Sequence, residues 1–287
     1  MPGRKKEYVM VDIDSLSKVY FAFDTPVQYK LKSGKMIQIK PILMRDCGLF
    51  NFYSSILKLD KNSSSDPSVI SMSYLEFLVK YIFAKSKETT YYLGWILHQT
   101  IGYDFMIRFD QNNKPFLLSD KDDKDVVAIK SKDFENIKRI ILYQNILHYD
   151  DEYVDPELKK SMQEVDELKS KVYQYPNDER KFAMITAHCG LSKEEQLKMT
   201  IRSHQYLFEE VCGEVEFITV RPIALYAGKS KDLEHWVYKN HKDKYDGYLT
   251  TVEQYNKSMG GNGAIHTNTS NTDMSNELMK QFSSFNK

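Results

Sequence analysis

Apolar residues recur at two different periods along this chain, and the switches between those periods outline the fold. Near the N-terminus the text is strand-forming: Tyr8, Met10, Asp12 and Ile13 lead through a polar step to Val19, Phe21 and Phe23. Val27, Tyr29 and Leu31 then alternate with polar residues, and the segment Met36 to Ile39 answers them. Ser33-Gly34 sits between the two runs as a turn dipeptide, so the pattern predicts a β-hairpin ending at Pro41.

Beyond it the period lengthens to that of a helix. Leu49, Phe52, Tyr53, Ile56 and Leu57 share a face of a helix predicted over Arg45–Leu59. A polar loop from Asp60 to Pro67 separates it from Met72–Ala84, which is apolar on most sides and reads as a buried helix. A further helix is expected from Glu88 to Ile101. Short strands follow near Phe105–Phe109, Phe116–Leu118 and Val126–Ile129, with turns at Asn112-Asn113 and Asp120–Asp125.

From Ser131 the helical period returns. Phe134, Ile137, Ile140, Ile141 and Gln144 form one face of a helix ending near Asn145. Asp155-Pro156 opens the next one, with Asp as cap and Pro at the first helical position. In it Leu158, Met162, Val165, Leu168 and Val172 make a narrow coiled-coil-like stripe, too short to stand alone, which must pack on its own domain or on a partner. A helix from Asp178 to Cys189 is closed by Gly190. In the run from Leu191 to Val211, Ser192 and Glu195 have the spacing of a capping box, and Ile201, Phe208 and Val211 share an apolar face beyond the Met199-Thr200 step. Val215–Tyr226 suits helix or strand, and Pro222 weakens both readings. A last helix is expected around Trp236, over Leu233–Lys239. Past Tyr255 the text turns to Gly, Asn, Ser and Thr, and disorder is expected there, with Leu278, Met279 and Phe282 able to form a short helix on binding.

The fold class expected is α+β. A region of strands and helices spans 1–130, a mainly helical region 131–255, and a flexible polar tail 256–287.

Composition narrows the function. Lys+Arg and Asp+Glu both total 40, so there is no basic excess to draw nucleic acid. No apolar run approaches the length of a membrane span, and the first residues lack the core and cleavage site of a signal peptide. The three cysteines, Cys47, Cys189 and Cys212, are irregularly spaced, as expected of a reducing cytoplasm.

Candidate chemistry is thin. His188, Cys189, His204 and Cys212 include zinc-ligating types and a Cys–His pair, but without the paired spacing of a metal site or a third orienting group. The acids from Asp120 to Asp125 lack the glycine and terminal glutamate of a calcium loop. Asp12 and Asp14 share a strand face but have no third ligand. Gly260, Gly261 and Gly263 neither follow a strand nor open a helix, so they do not form a phosphate loop. The aromatics around Tyr91, Tyr92 and Trp95 recur at helical spacing without a basic stripe, the pattern of a core more than of a base-stacking platform. No cofactor is expected.

Three blocks taken in order carry a resemblance. They are MSYLEFL (Met72–Leu78), FENIKRIILYQNILHYDDEYVDPELKKSMQ (Phe134–Gln163), and MTIRSHQYLFEEV (Met199–Val211) with LEHWVYK (Leu233–Lys239). Together they resemble tail-assembly chaperone-type proteins of long-tailed bacteriophages, especially large phages of Gram-positive hosts. The resemblance spans roughly residues 25–240 and contains no catalytic signature; the length and the N-terminal strands depart from the smallest such chaperones. It implies a non-enzymatic role in the host cytoplasm: binding the helical tape-measure protein and recruiting tail-tube subunits. Leu158, Met162, Val165 and Leu168, and Ile201, Phe208 and Val211, are the candidate interaction faces; either set serves equally to close the chain's own core. The alternatives are a structural virion protein of the tail or baseplate and, from another class, a metal-dependent enzyme such as a nuclease using Asp12, Asp14 or the His188–Cys212 cluster.

Overall fold

The N-terminal hairpin forms where alternation placed it. β2 (Val27–Lys30) pairs antiparallel with β3 (Met36–Ile39), and β1 (Val9–Met10) lies parallel beside β2. The turn closes through Leu31 N–H to the Lys35 carbonyl at 2.8 Å, and Gly34 takes φ +89°, which a side chain at that position would oppose. The computed structural model describes residues 9–10, 16, 24–119, 126–151, 154–172, 176–228, 235 and 237. Outside them lie Asp12 and Asp14, the acidic run at 120–125, the tail at 256–287, and the helix expected at 233–239 except His235 and Val237.

Next come α1 (Cys47–Tyr53), α2 (Pro67–Ser71), α3 (Tyr74–Phe77) and α4 (Glu88–Ile101). The helix predicted over Arg45–Leu59 is instead α1 flanked by tighter 3-10 turns at Met44–Asp46 and Ser54–Leu57. Its buried side also differs: Cys47, Phe50, Ile56 and Leu57 face inward, while Leu49 and Phe52 are exposed. Within the expected loop, Asp66 caps α2 by accepting from Ser68 N–H at 2.8 Å. The expected helix at Met72–Ala84 starts as α3 and widens into π-type turns over Leu78–Phe83. α4 has the predicted limits and ends on Gly102 in the left-handed conformation.

A second sheet follows, ordered β4 (Phe105–Phe109), β5 (Pro115–Ser119), β6 (Ala128–Ile129), all antiparallel. α5 (Ser131–Asn145) then lays Phe134, Ile137, Ile140 and Ile141 into one core with Val27, Ile39, Leu75, Leu78, Ile96 and Leu97.

Polar side chains on α5 fix the hairpin to that core. Buried Asp133 accepts from Tyr29 Oη at 3.0 Å and from Lys32 N–H at 3.3 Å. At the far end Gln144 Nε2 donates to the Ile39 and Thr25 carbonyls, and Asn145 Oδ1 accepts from Ile42 N–H at 2.7 Å. The Ile42 N–H and the Ile39 carbonyl are buried, and leaving such a backbone group without a partner costs about 1–3 kcal/mol.

The remaining helices are α6 (Pro156–Val172), α7 (Asp178–Cys189), α8 (Lys193–Lys198) and α9 (Ile201–Tyr226). The α+β class holds, with a mainly helical second half. By compactness the chain divides into two units, one drawn from 1–156 and 174–236, the other from 157–173 and 237–287. The helix of 131–145 thus shares a core with the strands that precede it. Of the second unit, α6 is the principal described element.

The capping box of the Leu191–Val211 run forms as its spacing predicts. Glu195 N–H donates to Ser192 Oγ at 3.3 Å, and the Glu195 carboxylate accepts from Ser192 N–H at 2.8 Å. Ser192→Ala should therefore cost the first unit about 1 kcal/mol, read as a shift in urea midpoint at unchanged slope. The run is two helices rather than one. At Met199-Thr200 the chain is extended and bridges Leu43, with Met44 N–H donating to the Met199 carbonyl at 2.8 Å and Ile201 N–H to the Ile42 carbonyl at 3.0 Å. Thr200 then caps α9, its Oγ1 accepting from Ser203 N–H at 3.0 Å. Val215–Tyr226, ambiguous in sequence, continues α9 through Pro222.

Candidate interaction surface

The expected interaction residues divide by burial. In the first unit Ile201 and Val211 are buried and Phe208 half-buried; Ile201 belongs to the central core. In the second unit Leu158, Met162 and Val165 are half-buried along α6, and Leu168 is exposed. The apolar start of α9 is thus a packing face.

The far end of the same helix is different. From Phe217 to Tyr226 the sequence reads FITVRPIALY, with Arg221 as its single charge, so it is apolar nearly all round. Such a segment is ordinarily buried on all sides. Here Ile218, Ile223 and Leu225 are 60, 63 and 58% exposed, and Tyr226 is also exposed. Ile218, Pro222 and Leu225 follow one another at i, i+4 and i+7, which sets them along one stripe. Pro222 has no N–H to return to the Ile218 carbonyl. Sequence reasoning left this segment undecided, because uniform apolarity carries no period from which to read a face.

A second apolar surface lies between α1 and α4. Tyr53 stacks on Tyr92 with ring centres 4.6 Å apart, and Trp95 meets Tyr53 edge-on at 5.2 Å. Phe52 and Tyr91 extend the cluster outward and are both exposed. Aromatic clusters of this composition are common at protein interfaces.

Among the described residues, those weighed for metal or nucleophilic chemistry are not gathered into one site. His188 and Cys189 sit exposed at the end of α7, His204 is buried, and Cys212 is half-buried. Among the described residues no group of three His, Cys, Asp or Glu side chains is placed to hold a metal ion. His204 is part of a packing network: its Nε2 faces Gln196 Oε1 at 3.1 Å, and its ring lies 4.7 Å from that of Phe182. Gln196 Nε2 in turn donates to the Thr186 hydroxyl and to the Phe182 and Leu191 carbonyls, so Gln196 Oε1 accepts and His204 Nε2 carries the proton. Burial holds the imidazole below its ordinary value.

A cluster of titratable groups with no local signature in the sequence joins α3, α5 and the turn after α5. Asp151 pairs with Arg139 and accepts from Tyr143 Oη at 2.7 Å. Tyr149 crosses Tyr143 edge-on at 5.0 Å. Lys138 Nζ sits 3.6 Å above the Tyr74 ring, and Tyr74 Oη donates to the Ile56 carbonyl at 2.7 Å. Burial lowers the Lys138 amine to about 8, with Glu135 and Asp151 and the ring beneath it opposing that shift. Competitive acetylation across a pH series should show Lys138 becoming reactive near pH 8, well before solvent-exposed lysines; a midpoint above 10 would show that ring and carboxylates outweigh burial.

Comparison with models of known protein families, with curated proteins and with solved structures gives no match. No described helix is long and apolar enough to cross a membrane.

Proposed function

We propose that this chain is a non-enzymatic binding protein, a tail-assembly chaperone or morphogenesis factor of a long-tailed bacteriophage acting in the host cytoplasm. One observation carries the binding role: an apolar end of α9 that leaves Ile218, Ile223 and Leu225 in solvent. Removing such side chains from water is worth about 1.5–3 kcal/mol each, so a partner that covers them binds with gain. A tape-measure protein presents long amphipathic helices, and a helix laid along the Ile218–Leu225 stripe would cover it at matching spacing. The phage context rests on the order of the MSYLEFL, FENIKRII and MTIRSHQYLFEEV blocks.

Co-expression tests the reading. With the tape-measure protein encoded immediately downstream, the chain should keep that protein soluble, co-purify with it, and be absent from purified virions. Stoichiometric presence in virions would identify a structural tail protein instead, and the absence of any tape-measure gene nearby would remove the phage context.

A further inference from the structure

β4 is the edge of its sheet among the described residues. In the order β4-β5-β6 only one side of β4 is paired among the described residues. Which backbone groups face outward follows from the register, in which Phe105 lies opposite Ser119, Ile107 opposite Leu117 and Phe109 opposite Pro115. Ser119 N–H donates to the Val127 carbonyl at 2.9 Å, away from β4. Pro115 has no N–H, and its carbonyl accepts from Ser131 Oγ at 3.4 Å. Asp110 N–H donates to the Lys114 carbonyl at 3.0 Å, which makes the next pair, Phe109 with Pro115, a non-hydrogen-bonded one. By alternation Met106 and Arg108 bond to β5, while Phe105, Ile107 and Phe109 turn their N–H and C=O groups to the open edge.

Natural edges of this kind carry lysine, proline, a bulge or a cover that blocks pairing. The segment FMIRF has no proline or lysine, and its single charge is Arg108. Met106 and Phe109 are exposed.

We propose that this edge pairs antiparallel with the same strand of a second copy, about a two-fold axis through Ile107, joining two three-stranded sheets into one. The sequence of the strand selects that occupant. Centred on Ile107, the register sets Phe105 opposite the partner's Phe109 and Ile107 opposite its own copy. The three outward-facing residues of each strand then exchange N–H···O=C bonds in every pair. Phe109 leaves solvent against an aromatic ring, a favourable cross-strand pair. On the other face Arg108 meets the partner's Met106, so the two guanidinium groups are not opposed.

Sedimentation equilibrium of the full chain tests this with variants of opposite sign. The chain should reach twice its 33.7 kDa mass at tens of micromolar. Met106→Lys sets an introduced lysine opposite Arg108 of the other copy and should weaken the dimer several-fold. Met106→Glu sets a carboxylate there and should tighten it several-fold. Phe109→Pro removes an outward N–H that β5 does not use, and should weaken the dimer while leaving the helical circular dichroism unchanged. A monomer at hundreds of micromolar, or Met106→Lys and Met106→Glu shifting the constant in the same direction, would overturn the proposal. The outcome does not depend on whether α9 binds a client.

Discussion

Ile201→Asp is expected to unfold the first unit. Ile201 is fully buried, starts α9, and donates its N–H to the Ile42 carbonyl where the two extended segments meet. A carboxylate there has no described partner to pair with and must either remain charged in an apolar core or take up a proton. Either way the loss exceeds about 4 kcal/mol, a large part of the stability of an ordinary domain. Ile201→Val, which keeps the shape and removes one methyl, should cost about 1 kcal/mol. Urea titration followed by circular dichroism separates the two. A cooperative transition for Ile201→Asp near the wild-type midpoint would show that the start of α9 is a surface after all. Loss of binding in that variant would report unfolding and nothing about a client site.

Ile218→Asp and Leu225→Asp should behave in the opposite way. Both side chains are more than half exposed, so an aspartate there is hydrated and the fold loses little, within about 0.5 kcal/mol. In a complex the same aspartate would be sealed under an apolar helix. Each substitution should weaken client binding by about a hundredfold or more, the scale of an interface hot spot. Titration calorimetry with the tape-measure protein, run beside thermal melts, reads both quantities. Unchanged affinity in both variants would remove the α9 end from the interface and turn attention to the aromatic cluster of Phe52, Tyr53 and Tyr91.

Elements marked by local signals were legible in the sequence. The hairpin had its Ser33-Gly34 turn, α5 its apolar face, and α8 its Ser192–Glu195 box; each signal lies within a few residues of the structure it sets. What depends on distant partners was not legible. The step at Met199-Thr200 could be seen, but not its cause, which is the pairing with Ile42–Met44 from far back in the chain. α1 offers two apolar sides, and its neighbours settle that Phe50 goes in while Leu49 and Phe52 stay out. Lys138 and Asp151 read as ordinary helix and loop charges until the fold brings Tyr74, Tyr143 and Tyr149 around them. The period that marked Ile201 and Val211 marks buried positions, whereas the uniformly apolar end of α9 carries no period from which its exposure could be read.

Amide hydrogen exchange on the chain, alone and with the tape-measure protein, tests the central claim most directly. In the free chain the end of α9 has apolar side chains in water and a proline in its ladder, so its amides should exchange early. If a client helix lies along the Ile218–Leu225 stripe, exchange over residues 215–226 should slow markedly in the complex. Protection confined to other segments, with 215–226 exchanging as in the free chain, would contradict the account.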